Sequence, residues 1–184
     1  MVDWLKEMQK YMETAKQRAM DPNFLKDADT YTAWDEVKIG KRFRVEQKFE
    51  VKAEDIVSYS KGALDDNPIF TDEKKAKRSP FGGLIAHPCF AVPISFWCAQ
   101  SGHGTWVRTP GARNPGQRLE WYEPFRPGDI ISIRRKSYDK YIKRGKYYLT
   151  DQIDFIDQHG TVKARRWVTL ILPKTRQDIR RFMK

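Results

Sequence analysis

A chain of 184 residues, 40% hydrophobic and 13% aromatic, holds enough apolar material for one well-buried core plus an appendage, which excludes general disorder. Its two cysteines, Cys89 and Cys98, lack zinc spacing and are too few for a disulfide framework, so no metal is expected and a reducing cytoplasm is the expected location. A net charge of +11 invites a polyanionic partner, while Met1–Lys16 mixes charge with scattered apolar residues, unlike a signal peptide, and no apolar run of about 18 residues could span a bilayer.

Trp4, Met8, Tyr11, Met12, Ala15 and Ala19 recur at helical steps, with Asp3 as N-cap and Pro22 beyond the end, predicting one amphipathic helix over Asp3–Ala19. Its polar face is not strongly basic, so packing on its own domain or on a partner is expected rather than membrane contact. After an aperiodic connector, Phe43, Val45, Phe49 and Val51 alternate with mostly charged residues as a half-buried strand does. A short helix over Ala53–Ser60 and a turn at Asp65-Asp66-Asn67-Pro68 follow.

Leu84–Ala99 is the most apolar stretch and suits a buried helix, with Pro88 tolerable in a first turn and Pro93 forcing a kink or a late start. The loop Ser101–Gly116 separates it from four strand-like segments, Gln117–Glu123, Ile130–Ser137, Tyr147–Ile156 and Thr161–Leu172, joined by turn-like sequences. The order of elements is an α+β pattern ending in an antiparallel meander.

Two motifs carry chemistry. Leu64-Asp65-Asp66-Asn67-Pro68-Ile69-Phe70 resembles the G-D-x-N-P-x-H turn of the MaoC-like hydratase/dehydratase family, the (R)-specific enoyl-CoA hydratases and their relatives. Gly83-Leu84-Ile85-Ala86-His87-Pro88-Cys89 resembles that family's G-x-x-x-H-G-M helix start, at the right interval. Glu123–Asp129 matches its strand turn. The resemblance implies a hot-dog fold, an antiparallel sheet wrapped around one long helix, over residues 34–172, with an N-terminal helical extension (1–33) and a basic C-terminal tail (173–184) outside it. It also implies a coenzyme A thioester as substrate, no permanently bound cofactor, and pairing with a second hot-dog fold.

Hydrating an enoyl thioester requires a base for water, an acid for the α-carbon and donors for the developing enolate oxygen. The resemblance assigns these to Asp65, to the position held here by Phe70, and to the backbone N–H of the position held by Pro88, which has none. Asp65 is then a vestigial or minor catalytic residue, and Asn67, Phe70, Phe81, Gly82, Gly83, His87, Cys89 and Phe90 are candidate substrate-binding residues. The chain leans toward being an enzyme subunit: the substrate-accommodating half of a heteromer whose partner keeps an intact D-x-N-x-x-H. A self-sufficient homodimer using Asp65 and a non-enzymatic acyl-CoA-binding or scaffolding module stand beside it.

Plainer roles compete at each position. Asp65 suits a turn cap, and His87 suits a hydrogen-bonded structural histidine. His103 is the loop candidate for a replacement acid, and His159 falls in a strand turn. Phe90, Phe96, Trp97, Trp106, Trp121, Tyr122 and Phe125 suit core packing before an aromatic acyl pocket. Arg113, Arg118, Arg126, Arg134 and Arg135 are candidates for coenzyme A phosphates, each also suited to a solvated surface. No recognised motif accompanies the charge, so nucleic acid is not an expected partner.

Overall fold

A computed structural model describes residues 4–19, 33–99 and 109–182. Contacts within the chain divide it into two compact units, Met1–Pro22 with Glu50–Phe90 and Pro124–Ile130, and Asn23–Phe49 with Ala91–Glu123 and Ile131–Lys184.

The second unit carries the antiparallel sheet. Its strands are β1 (Arg42–Arg44), β2 (Phe49–Glu50), β3 (Arg113–Trp121), β4 (Ile130–Lys143), β5 (Lys146–Ile156) and β6 (Val162–Leu172), in the order β1-β4-β5-β6-β3 with β2 beside β4. Alternation explains their facing: Ile131 and Ile133, Leu149 and Ile153, Val168 and Leu170 are buried, and Arg134, Gln152 and Trp167 take the other face. The expected first strand breaks into β1 and β2 across residues 45–48, and β3 starts at Arg113 inside the expected loop, with a register shift between Arg113 and Gly116 that absorbs Pro115.

Helix α6 (Ala91–Ala99) packs on the buried face, with Ala91, Ile94, Ser95 and Cys98 inaccessible. Burial pushes the Cys98 thiol up to about 12. The long helix expected over Leu84–Ala99 starts late: residues 84–87 belong to no helix or strand, Pro88–Phe90 form one tight turn, and Pro93 lies in the first turn of α6, where its missing N–H costs nothing. An antiparallel sheet with this apolar helix against it is the hot-dog fold, as expected. Two buried arginines share the inner face. Arg135 Nε donates to Asp151 Oδ2 at 2.9 Å, and Arg166 Nη1 donates to Ser95 Oγ at 2.5 Å with no ion-pair partner among the described residues. Desolvation therefore pulls the Arg166 guanidinium down to about 10.

In the first unit the single N-terminal helix becomes two, α1 (Trp4–Gln9) and α2 (Ala15–Ala19). Thr14 caps the second: its Oγ1 accepts the Gln17 N–H at 3.2 Å and Gln17 Oε1 accepts the Thr14 N–H at 2.9 Å, a capping box. Asp3, the expected N-cap, lies outside the described residues. Lys16 Nζ meets Asp55 Oδ2 at 2.6 Å, tying α2 to α3 (Ala53–Gly62). Two short helices, α4 (Pro68–Thr71) and α5 (Glu73–Ala76), follow α3. Back in the second unit, the expected basic tail contains a helix, α7 (Arg176–Arg180), begun by a Thr175–Asp178 capping box. Among the described residues no helix is long and apolar enough to cross a membrane.

Candidate active site

The acidic turn follows α3, and Leu64 makes it possible by adopting a φ of 56°, a left-handed conformation that favours glycine. Asp65 Oδ1 then accepts the Asn67 N–H at 3.0 Å, and Asn67 Oδ1 accepts the Ile69 N–H at 3.1 Å. Asn67 is thus the N-cap of α4, with Pro68 at its first position, where proline's fixed φ suits a helix. This geometry brings Phe70 inward, only 7% exposed.

Residues 84–87 are held by main-chain bonds from Ile85 N–H to the Ile69 carbonyl (3.2 Å) and from Ala86 N–H to the Phe125 carbonyl (2.9 Å). These bonds set His87 between aromatic rings. Its ring lies 5.5 Å from Phe70 and 5.7 Å from Tyr59, centroid to centroid. Tyr59 also packs edge-on against buried Phe90 at 5.5 Å. Burial raises the Tyr59 hydroxyl above its ordinary pKa.

His87 Nε2 faces Asp65 Oδ2 at 3.6 Å, beyond a good hydrogen bond but close enough for a direct electrostatic pair. Its other nitrogen is engaged: Nδ1 accepts the Cys89 N–H at 3.0 Å. In the neutral ring the proton therefore sits on Nε2, pointing at the carboxylate. A ring so held can donate from Nε2 but offers no free lone pair to take a proton. Asp65, about a third exposed, is the group that can accept one.

The structure brings together Asp65, Phe70, His87 and Phe90, with Tyr59 as the member that motif reading misses. Its only sequence signal is its place on α3 just before the acidic turn. Asn67 shapes the backbone rather than lining this cluster. Phe81 is 42% exposed, and its carbonyl accepts Arg126 Nη1 at 2.9 Å. Gly82 takes a φ of 66°, a turn requirement, and Cys89 is an exposed free thiol. His103 and Trp106 lie outside the described residues. His159 is exposed in a turn, its N–H bonded to Asp157 Oδ1 at 2.9 Å.

The aromatic set divides: Phe90 and Phe125 are core residues, whereas Trp121 and Tyr122 are about half exposed. Of the arginines, Arg135 is occupied by Asp151 in the interior, and Arg118 pairs with Glu120 over the Trp167 ring. Arg134 is exposed on the outer face. Among the described residues no cluster of His, Cys, Asp or Glu is arranged to hold a metal.

A family model described as the FAS1-like dehydratase domain region matches residues 37–171. The chain belongs to that family. It is 33% identical over 87 residues to a protein named 3-hydroxybutyryl-CoA dehydratase from Methylorubrum extorquens; the match covers 47% of this chain and 53% of that protein, so this chain spans about half of that relative. Among solved structures, the MaoC-like dehydratase from Rhodospirillum rubrum superposes with a TM-score of 0.64 at 24% identity, covering 76% of this chain and 95% of that one. The HadBC (3R-hydroxyacyl-ACP dehydratase) complex from Mycobacterium tuberculosis gives 0.66 at 18% identity, covering 74% and 98%. At these identities the structural likeness shows the hot-dog dehydratase fold alone. Membership of the family rests on the match over residues 37–171.

Proposed function

We propose that the chain is the substrate-accommodating subunit of an acyl-thioester hydratase/dehydratase, joined to a second hot-dog subunit that keeps an intact D-x-N-x-x-H. In the hydration direction the oxygen of water bonds the β-carbon, one of its protons passes to a base, and the α-carbon gains a proton from an acid. One observation carries the assignment: buried Phe70 fills the acid/base position, and the neighbouring imidazole of His87 has its accepting nitrogen bonded to the Cys89 N–H. Within this cluster Asp65 is then the group able to take a proton, while the position of the family's acid/base histidine supplies none to return and the His87 Nε2–H is turned toward Asp65. Pro88 removes the main-chain donor as well.

The names of similar proteins support the reaction class. One is a 3-hydroxybutyryl-CoA dehydratase, and another is a complex of a hydroxyacyl dehydratase. The substrate would be the thioester itself, with no resident cofactor. A second reading, a homodimer working through Asp65 alone, is favoured by the 3.6 Å approach of His87 to that carboxylate. A binding module without turnover is the third.

Enoyl-CoA hydration, followed as loss of the conjugated thioester absorbance, separates the three. Turnover only when a hot-dog partner is co-expressed is the expected result. Turnover by the chain alone that falls in Asp65→Asn establishes the homodimer, and thioester binding without turnover in any combination establishes the module.

A further inference from the structure

Arg166 stands on the inner face of β6, 2% exposed, among side chains that accept no hydrogen bond. Ala164 and Val168 flank it on its own strand, Ile153 stands opposite on β5 and Leu119 opposite on β3, each of them apolar. Its partner is Ser95 of α6. The Ser95 hydroxyl donates to the Val92 carbonyl at 2.7 Å, which turns an oxygen lone pair toward Arg166 Nη1 at 2.5 Å. That contact is neutral. Arg166 Nε is inaccessible and bonded to nothing, and the guanidinium forms no ion pair among the described residues.

A carboxylate does lie nearby in the register. Asp151 stands opposite Val168, diagonal to Arg166, but its Oδ2 is committed to Arg135 Nε at 2.9 Å. Arg135, Ile153 and Arg166 form one row across β4, β5 and β6, so two guanidinium groups share this part of the interior with that carboxylate. Burial lowers Arg166 only to about 10, which leaves it charged at neutral pH. A charge taken out of water is strongly unfavourable unless an opposite charge meets it.

We propose that the Arg166 guanidinium binds a small monovalent anion of the halide class between α6 and the inner face of the sheet. Nε donates to the ion, and Ser95 fixes the guanidinium in place. This site uses neither Asp65 nor His87 and stands apart from the acyl-thioester reading. Guanidinium is weakly hydrated and its neighbours here are apolar, so an ion that gives up water readily fits best: bromide ahead of chloride, and fluoride last.

The test is thermal melting of the full chain at constant ionic strength, with gluconate exchanged for halide or formate. Bromide and chloride should raise the midpoint saturably, by about 5–10 °C at roughly a hundred times the dissociation constant. Fluoride and formate should match gluconate. R166M removes the buried charge and keeps much of the volume, so it should melt above wild type in gluconate and show no halide response. Anomalous diffraction from bromide-soaked wild-type crystals checks the site without a variant, and should place bromide against Arg166 Nε. Four results each overturn the proposal: no saturable halide response in wild type, an equal response in R166M, formate stabilising in place of halide, or bromide found only elsewhere in the crystal.

Discussion

The acidic turn (Leu64–Asp72) and the segment Gly83–Phe90 depart from the family's pattern in different ways. In the turn the backbone is fixed by its own side chains: Asp65 and Asn67 each accept a main-chain N–H, and α4 starts at Pro68. Two positions differ from the family's pattern, Leu64 in place of glycine and Phe70 in place of histidine, and of the two only Phe70 replaces a side chain with acid/base chemistry. At the second segment the loss is in the main chain, since Pro88 has no N–H and no side chain can replace it in place. The Cys89 N–H that follows is bonded to His87 Nδ1. A function lost through a side chain is one substitution from return, whereas a function lost through the backbone also involves the local conformation.

Restoring each half by substitution separates the two departures. Phe70→His should raise hydration by the chain alone by about 10²–10⁴-fold, the usual contribution of a positioned acid or base. No rise, in a variant that melts cooperatively, would show that the turn has lost more than one side chain. Pro88→Gly should contribute less by itself. A restored oxyanion donor is worth roughly 10²–10³ in rate, but glycine also frees the backbone that proline fixes, at about 0.5–1 kcal/mol. The double variant need not show the product of the two effects. If Pro88→Gly exceeds Phe70→His, the main-chain donor is the limiting loss and the ordering argued here is wrong.

A smaller effect is expected at the start of the turn. Leu64 holds a φ of 56° with its side chain 93% exposed, so it bears left-handed strain without packing to offset it. Relief of that strain is worth about 1–2 kcal/mol, against about 0.5–1 kcal/mol for the added freedom of glycine in the unfolded chain. Leu64→Gly should therefore leave stability unchanged or raise it by up to about 1 kcal/mol, read as a denaturation midpoint. A clear loss would show that the exposed side chain makes a contact important to stability, as against a partner subunit.

Strands β4, β5 and β6 were legible because their alternation is strict and their ends are punctuated by turn residues. The hot-dog fold followed from two spaced motifs and one all-apolar segment. Capping was less visible: Thr14-x-x-Gln17 starts α2, and Thr175-x-x-Asp178 starts α7 in what composition marks only as a basic tail. In both places a local hydrogen bond outweighs periodicity. Within the site, Asp65, Phe70 and His87 could be found from motif spacing, but two features could not. The third wall, Tyr59, comes from a helix whose packing partner is distant in sequence, and the tautomer of His87 depends on a main-chain donor two residues away. Arg135 was misplaced as a surface candidate because alternation shows that it faces inward without showing that Asp151 is there to meet it.

The smallest effect tests whether the far end of the turn is held by charge or by shape. Asp72 caps α5 through Oδ1, which accepts the Lys75 N–H at 3.0 Å, and that bond holds its carboxyl below the ordinary range, helped by the nearby charges of Lys75 and Lys74. A carboxyl whose folded pKa is depressed contributes stability that is fully present above its unfolded pKa of about 4 and is lost as pH falls through the lower folded value. Asparagine retains the accepting oxygen and removes only the charge. Wild type should therefore melt slightly above Asp72→Asn at neutral pH, and the gap should close as pH is lowered from about 4 toward 2. A gap that stays constant to pH 2 would assign the difference to cap geometry rather than to ionisation, and would make the turn a rigid frame whose shape is independent of its charges.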